Sequence, residues 1–170
     1  QSLTDTANKI KAVLATVPLS ELTAIELPLE RQRRVAIHAV VRAATGDGGE
    51  IPITIANTHF TNMVMHHLWF FSESGRYRQA RALARALPPD GALIVGGDFN
   101  AWFGFRDAAY RELAKIAGPA GTEDRRASFG PLRLDHALFR LPDGWKSTLR
   151  RAEGKHGSDH YPLVATIDAK

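Results

Sequence analysis

Strand-length apolar runs dominate this chain, and four of them meet a short polar signature at one end. Ile51 to Thr58 runs into Asn57-Thr58-His59, and Ala92 to Val95 runs into Gly96-Gly97-Asp98-Phe99-Asn100. Leu134-Asp135-His136 opens the run to Arg140, and Ser158-Asp159-His160-Tyr161-Pro162 precedes Leu163 to Ile167. Apolar or β-branched runs of about four to eight residues, bounded by turn formers, read as strands. The polar groups therefore gather where strands end and loops begin, which is where a rigid scaffold presents functional side chains.

The remaining chain reads as follows. Residues 1–20 leave two readings open: a helix from Lys9 to Leu14 capped by Thr4-Asp5-Thr6, or a buried strand from Ala12 to Val17 before Pro18. Glu21 to Leu27 alternates polar and apolar residues, as a half-buried strand does. Arg34 to Val41 and the run from Ile51 flank Thr45-Gly46-Asp47-Gly48-Gly49, which predicts a hairpin. Thr61 to Gly75 reads as a loop that includes Met63, Met65, Trp69, Phe70 and Phe71. A helix follows from Arg76 to Leu87, with Tyr77, Ala80, Leu83, Ala84 and Leu87 on one face, and Pro88-Pro89-Asp90-Gly91 stops it. A second helix is expected from Arg106 to Ile116, ended by Gly118-Pro119. Leu134–Arg140, Ser147–Ala152 and Leu163–Ile167 complete the strands. Strands outnumber helices without regular alternation, so the expected class is α+β, one domain over residues 1–170, with sheet packed on sheet rather than a doubly wound sheet.

Composition narrows the chemistry. The chain has no cysteine, which excludes a disulfide scaffold, a thiol nucleophile and a thiolate-ligated zinc site. No apolar run approaches the roughly 20 residues that span a bilayer. The net charge of +4 and pI of about 9.7 suit a polyanionic partner, either nucleic acid or an anionic lipid surface.

Each signature has its own chemistry. The carboxylate of Asp98 can bind a hard divalent cation or polarise water, and the amide of Asn100 can hold a phosphate oxygen or the attacking water. Two residues apart in an extended segment, both side chains are expected on the same side. Asp159 is a natural metal ligand, and His160 a natural general base or a donor to a phosphoryl oxygen. Asp135 is expected to accept from His160, fixing its tautomer. His59 ends its strand and can serve the leaving oxygen or the phosphate. His38 lies mid-strand with no motif around it. His66, His67 and His156 read as loop residues.

Taken together, N-T-H-F, R-x-x-Q at Arg76 to Gln79, G-G-D-F-N-A, R-L-D-H-A-L-F and S-D-H-Y-P-L resemble the endonuclease/exonuclease/phosphatase superfamily, from about Ala12 to the C-terminus. The resemblance implies a β-sandwich flanked by helices, with a site at one end of the two sheets. It implies phosphoester hydrolysis by water with Mg²⁺ or Mn²⁺. The implied site residues are His59, Asp98, Asn100, Asp135 and His160, with Asp159 and Asp98 toward the metal. Family members open with strands that carry an Asn and then a metal-binding Glu in a Q-E context. No Q-E pair occurs here, and Glu21, Glu26 and Glu30 fall after the position where it is expected. The chain is accordingly expected to match the C-terminal part of the family domain, with the opening strands missing. A metal-dependent phosphodiesterase or phosphatase, acting on nucleic acid or on a lipid head group as a sphingomyelinase does, is set against a second reading. In that reading the chain is a binding module, or an inactive fragment, that keeps the sandwich without catalysis.

Overall fold

Alternating burial along the strands fixes which faces of the sheets meet. The computed structural model describes residues 15–30, 33–62 and 72–169. In chain order these residues form β1 (Ser20–Glu26), β2 (Val35–Ala44), β3 (Glu50–His59), α1 (Ser72–Ala86), β4 (Ala92–Asp98), α2 (Ala108–Leu113), β5 (Thr122–Glu123), β6 (Asp135–Arg140), β7 (Lys146–Arg151) and β8 (Leu163–Asp168). Among them, β1-β2-β3-β4-β6 make one sheet and β5-β7-β8 a second. The predicted hairpin is the β2–β3 pair, and Gly48 takes the left-handed φ of +84° that its turn needs. β3 and β4 are parallel, so the chain must cross over between them, and α1 is the crossover.

One face of the larger sheet carries Ala36, Ala56, Leu93, Val95 and Leu138, which pack on Ala80 and Leu83 of α1, on Leu87 just after it, and on Ala109 and Leu113 of α2. On the other face Ile94, Ala137 and Phe139 meet Leu149, Leu163 and Ile167 of the smaller sheet. The result is a sandwich with helices outside the larger sheet, in agreement with the α+β expectation. Each fully buried leucine in these layers contributes about 1.5–3 kcal/mol of transfer free energy.

The structure differs from the sequence reading in several places. α1 starts at Ser72, so its first turn takes residues assigned to the preceding loop. The second helix is shorter than expected because Asp107, in extended conformation at ψ 138°, interrupts it. A 3-10 turn over Gly104–Arg106 precedes Asp107, which then caps α2 through Ala109 N. β4 does not stop at Val95 but continues through both glycines to Asp98. β5, two residues long, is too short to leave a periodic signal. The alternatives for residues 1–20 fall largely outside the described residues, as do Met63 to Phe71 with His66 and His67.

Two arginines fasten the layers. Arg140, ending β6, donates to the carbonyl oxygens of Pro88, Pro89, Asp90, Gly91 and Ile116, matching the five donors of a guanidinium to the α1–β4 turn and the segment after α2. Arg76 Nη2 donates to Asp107 Oδ2 at 2.7 Å, and both side chains are fully buried. Removing one partner of such a pair leaves an uncompensated charge. Asp107→Ala is expected to cost about 3–5 kcal/mol in urea unfolding, and Arg76→Met in the same chain to recover part of the loss. A single-variant loss below about 1 kcal/mol would show that the pair is not what joins α1 to α2.

Candidate active site

Three of the sequence-selected residues lie in one row across the larger sheet. Strand register pairs His59 with Asp98 and Asp98 with Asp135, at the end of β3 and β4 and the start of β6. Residues directly opposite share a face, and alternation puts this row on the face that carries Ile94, Ala137 and Phe139, toward the smaller sheet. His59 Nε2 is 3.4 Å from Asp98 Oδ2. The close approach of β3 and β4 depends on Gly97. Its φ is +136°, and a Cβ there would stand 1.9 Å from the carbonyl oxygen of Thr58.

The expectation that extended backbone brings Asp98 and Asn100 together is overturned. Asn100 has a φ of +47°, so the chain turns there. The two residues meet through that turn: Asn100 N donates to Asp98 Oδ1 at 2.8 Å, and its Nδ2 lies 3.5 Å from Asp98 Oδ2. Asn100 is buried, and Nδ2 also donates to the carbonyl of Phe60 at 2.9 Å. Phe60 N donates in turn to Asp98 O, and Thr61 N donates to Gln79 Oε1 of α1. The segment following His59 is thereby held from both sides. Gln79 Nε2 also donates to Pro28 O, which accounts for the glutamine of the R-x-x-Q motif.

The smaller sheet supplies the other half. His160, in the loop before β8, donates from Nδ1 to Asp135 Oδ2 at 2.6 Å, so the two residues expected to pair do meet. This bond leaves Nε2 as the free ring nitrogen. Burial alone would lower the His160 pKa, but the Asp135 hydrogen bond and the charges of Asp135, Asp98 and Asp159 outweigh it and raise it. Burial, and next the charge of Asp135, push the Asp98 carboxyl up to about 6, against the Asn100 N–H and the charges of His160 and Arg34. His59, Asp98, Asn100, Asp135, Asp159 and His160 all line one open cleft of about 620 Å³.

The half-buried carboxylates Asp98 and Asp135 thus face a histidine that one of them supports. The model of the Endonuclease/Exonuclease/phosphatase family matches residues 12–160. The chain belongs to that family. Endonucleases, exonucleases and phosphatases are all phosphoester hydrolases, so this is a family of enzymes. Among solved structures, sphingomyelinase C from Streptomyces griseocarneus is similar with a TM-score of 0.61 at 16% identity, over 92% of this chain and 66% of that one. D. rerio TDP2, complexed with a single-strand DNA product, gives 0.59 at 16% identity over 90% and 69%. A family protein from Bacteroides thetaiotaomicron gives 0.54 at 15% over 88% and 66%. At these identities the likeness is one of fold. The chain spans about two thirds of the length of these structures. No curated protein sequence matches it.

Sequence reasoning missed several residues of this cleft. Asn62, Trp102 and Phe129 line the same cleft. Arg34, read as the first residue of a strand, is buried, and its charge reaches Asp98. Its phase with Ala36 signals that it is buried but not that it reaches Asp98. His38 stays within β2, and His156 sits in a loop with a φ of +51°. His136 belongs to neither half of the site. It points to the helix layer, where its ring packs 4.8 Å from Tyr110, 5.5 Å from Phe105 and 5.6 Å from Phe99, and Nε2 meets the Arg133 carbonyl.

Burial, and then the charge of Arg133, push the His136 pKa down to about 3. The fold thus holds the neutral ring, whereas the unfolded chain takes up a proton below about 6.5. The stabilisation is complete above that value and is lost as pH falls toward the folded pKa. On the order of 4–5 kcal/mol is at stake across this window. His136→Gln is expected to flatten the dependence of unfolding free energy on pH between roughly pH 6 and pH 4. An unchanged slope would assign the acid sensitivity to other groups.

Proposed function

We propose that this site hydrolyses a phosphoester with water, assisted by Mg²⁺ or Mn²⁺. The observation that carries the reading is the Asp135–His160 pair opening onto the Asp98 row. With Nδ1–H held by Asp135, the neutral ring presents an unprotonated Nε2, the atom that takes a proton from attacking water. Asp135 orients the ring and stabilises its cationic form. Asn100, fixed by Phe60 and Asp98, holds the water or a phosphate oxygen. His59 serves the phosphate or the leaving oxygen from the far end of the row.

The donor chemistry fits a hard cation in part. Asp98 carries a carboxyl raised by burial and by the facing Asp135, a repulsion that a cation relieves. Asp98 and Asp159 would hold the ion, both being oxygen donors on the same cleft. When bound, it supplies charge neutralisation at the phosphoryl group and a more acidic water. Among the described residues, no three His, Asp or Glu side chains form a metal-holding group. Further protein ligands would come from outside them.

The substrate class rests on what surrounds this chemistry. One similar structure is named a sphingomyelinase and another holds a DNA product, so a lipid phosphodiester and a nucleic acid are both served by this fold. Binding that falls steeply with salt would mark nucleic acid. Binding to vesicles would mark a lipid head group.

The deciding assay is hydrolysis of an aryl phosphodiester with Mg²⁺ or Mn²⁺. Activity is expected with metal, lost on chelation and abolished in Asp98→Ala. Asp135→Asn is expected to lower the rate by roughly 100-fold or more. It should also move the acid limb of the pH profile down, because the group that raises His160 is gone. A folded protein that cleaves nothing under these conditions would support the binding-module reading instead.

A further inference from the structure

Asp135 opens a strand of the larger sheet and His160 lies in the loop before a strand of the smaller one, and the 2.6 Å bond between them requires that both backbones be held in place. Ser128, in the segment between β5 and β6, touches both. It is fully buried. Its Oγ accepts the backbone N–H of Leu134 and that of Asp135, each at 3.1 Å. Its carbonyl accepts the N–H of Tyr161, the residue after His160, at 2.9 Å. The serine is itself fixed by a tight turn, in which Ser128 N and Phe129 N both donate to Leu132 O and Leu132 N donates back to Phe129 O. Phe129 then lays its ring 4.8 Å from the His160 imidazole.

We propose that Ser128 is a positioning residue for the Asp135–His160 pair, holding the start of β6 with its hydroxyl and the chain after His160 with its carbonyl. It touches no reacting atom. Without the hydroxyl, two buried N–H groups lose their acceptor at the point where Asp135 leaves the loop. The carboxylate is then free to shift away from Nδ1, and the ring no longer keeps one tautomer and one orientation. The catalytic consequence rests on the hydrolytic reading above, but the geometric claim does not.

The test compares Ser128→Ala with Ser147→Ala. Ser147 is also buried, and its hydroxyl also accepts a backbone N–H, that of Gly121, but it lines neither the candidate cleft nor the Asp135–His160 pair. Both variants should lose stability. Imidazole ¹⁵N shifts of His160, recorded where the ring is neutral, should report a proton on Nδ1 in the parent and in Ser147→Ala. They should report a mixture of tautomers in Ser128→Ala. In the hydrolysis assay Ser128→Ala should lower kcat roughly 10- to 100-fold with little change in KM. Ser128→Thr, which keeps the hydroxyl, should restore both readouts. If Ser128→Ala does not fold, Ser128→Cys, whose sulfur is a weak acceptor of similar shape, should show the same tautomer shift. A parent-like His160 in every folded variant lacking the hydroxyl would overturn the proposal, as would a parent ring without a proton on Nδ1. If the parent cleaves no phosphoester, the hydrolytic reading fails while the ¹⁵N result still decides what Ser128 does.

Discussion

The close parallel approach of β3 and β4 underlies the site. It brings the Thr58 carbonyl so near Gly97 that no side chain fits there. Because the strands meet in this register, His59, Asp98 and Asp135 form one row on one face. β4 ends at Asp98, and the chain turns at Asn100, whose φ is positive. The second glycine of the motif, Gly97, thus has a steric reason.

The site joins two sheets, which sets its energetic problem. Carboxylates brought together in partial burial resist ionisation, as the raised Asp98 shows. The structure answers with positive charge at a distance from Arg34 and His160, and with directed N–H groups such as that of Asn100. A cation in the cleft would relieve the same repulsion, so burial that is unfavourable in the protein alone becomes useful in binding metal. Elsewhere the buried charges are paired. Arg76 with Asp107 and Arg133 with Glu123 tie loops and helices to the layer behind the site, where His136 remains neutral among aromatic rings.

Much of the site was legible before the fold was known. His59, Asp98, Asp135 and His160 each stand beside an apolar run, and strand periodicity is a local signal. The pairing of Asp135 with His160 was also accessible, because a carboxylate is a common acceptor for the second N–H of an imidazole. Ser128 was not legible: a serine in an Arg-rich loop looks like any turn residue until its hydroxyl is seen beneath Asp135. Arg34 was not singled out: an arginine at the start of a strand gives no local sign that its charge reaches Asp98. The relation of Asp98 to Asn100 was misread because a positive φ at Asn cannot be inferred from spacing.

By itself the sequence determined the strands, the hairpin, the helical face that packs and the residue types able to move a proton or meet a cation, since all of these depend on neighbours along the chain. The tertiary structure alone decided that β3 and β4 run parallel, that the row faces the smaller sheet, and that His160 reaches Asp135 across the sandwich. Those outcomes depend on register and on layer packing, which join residues 25 to 40 positions apart through hydrogen bonds with no local sequence signature.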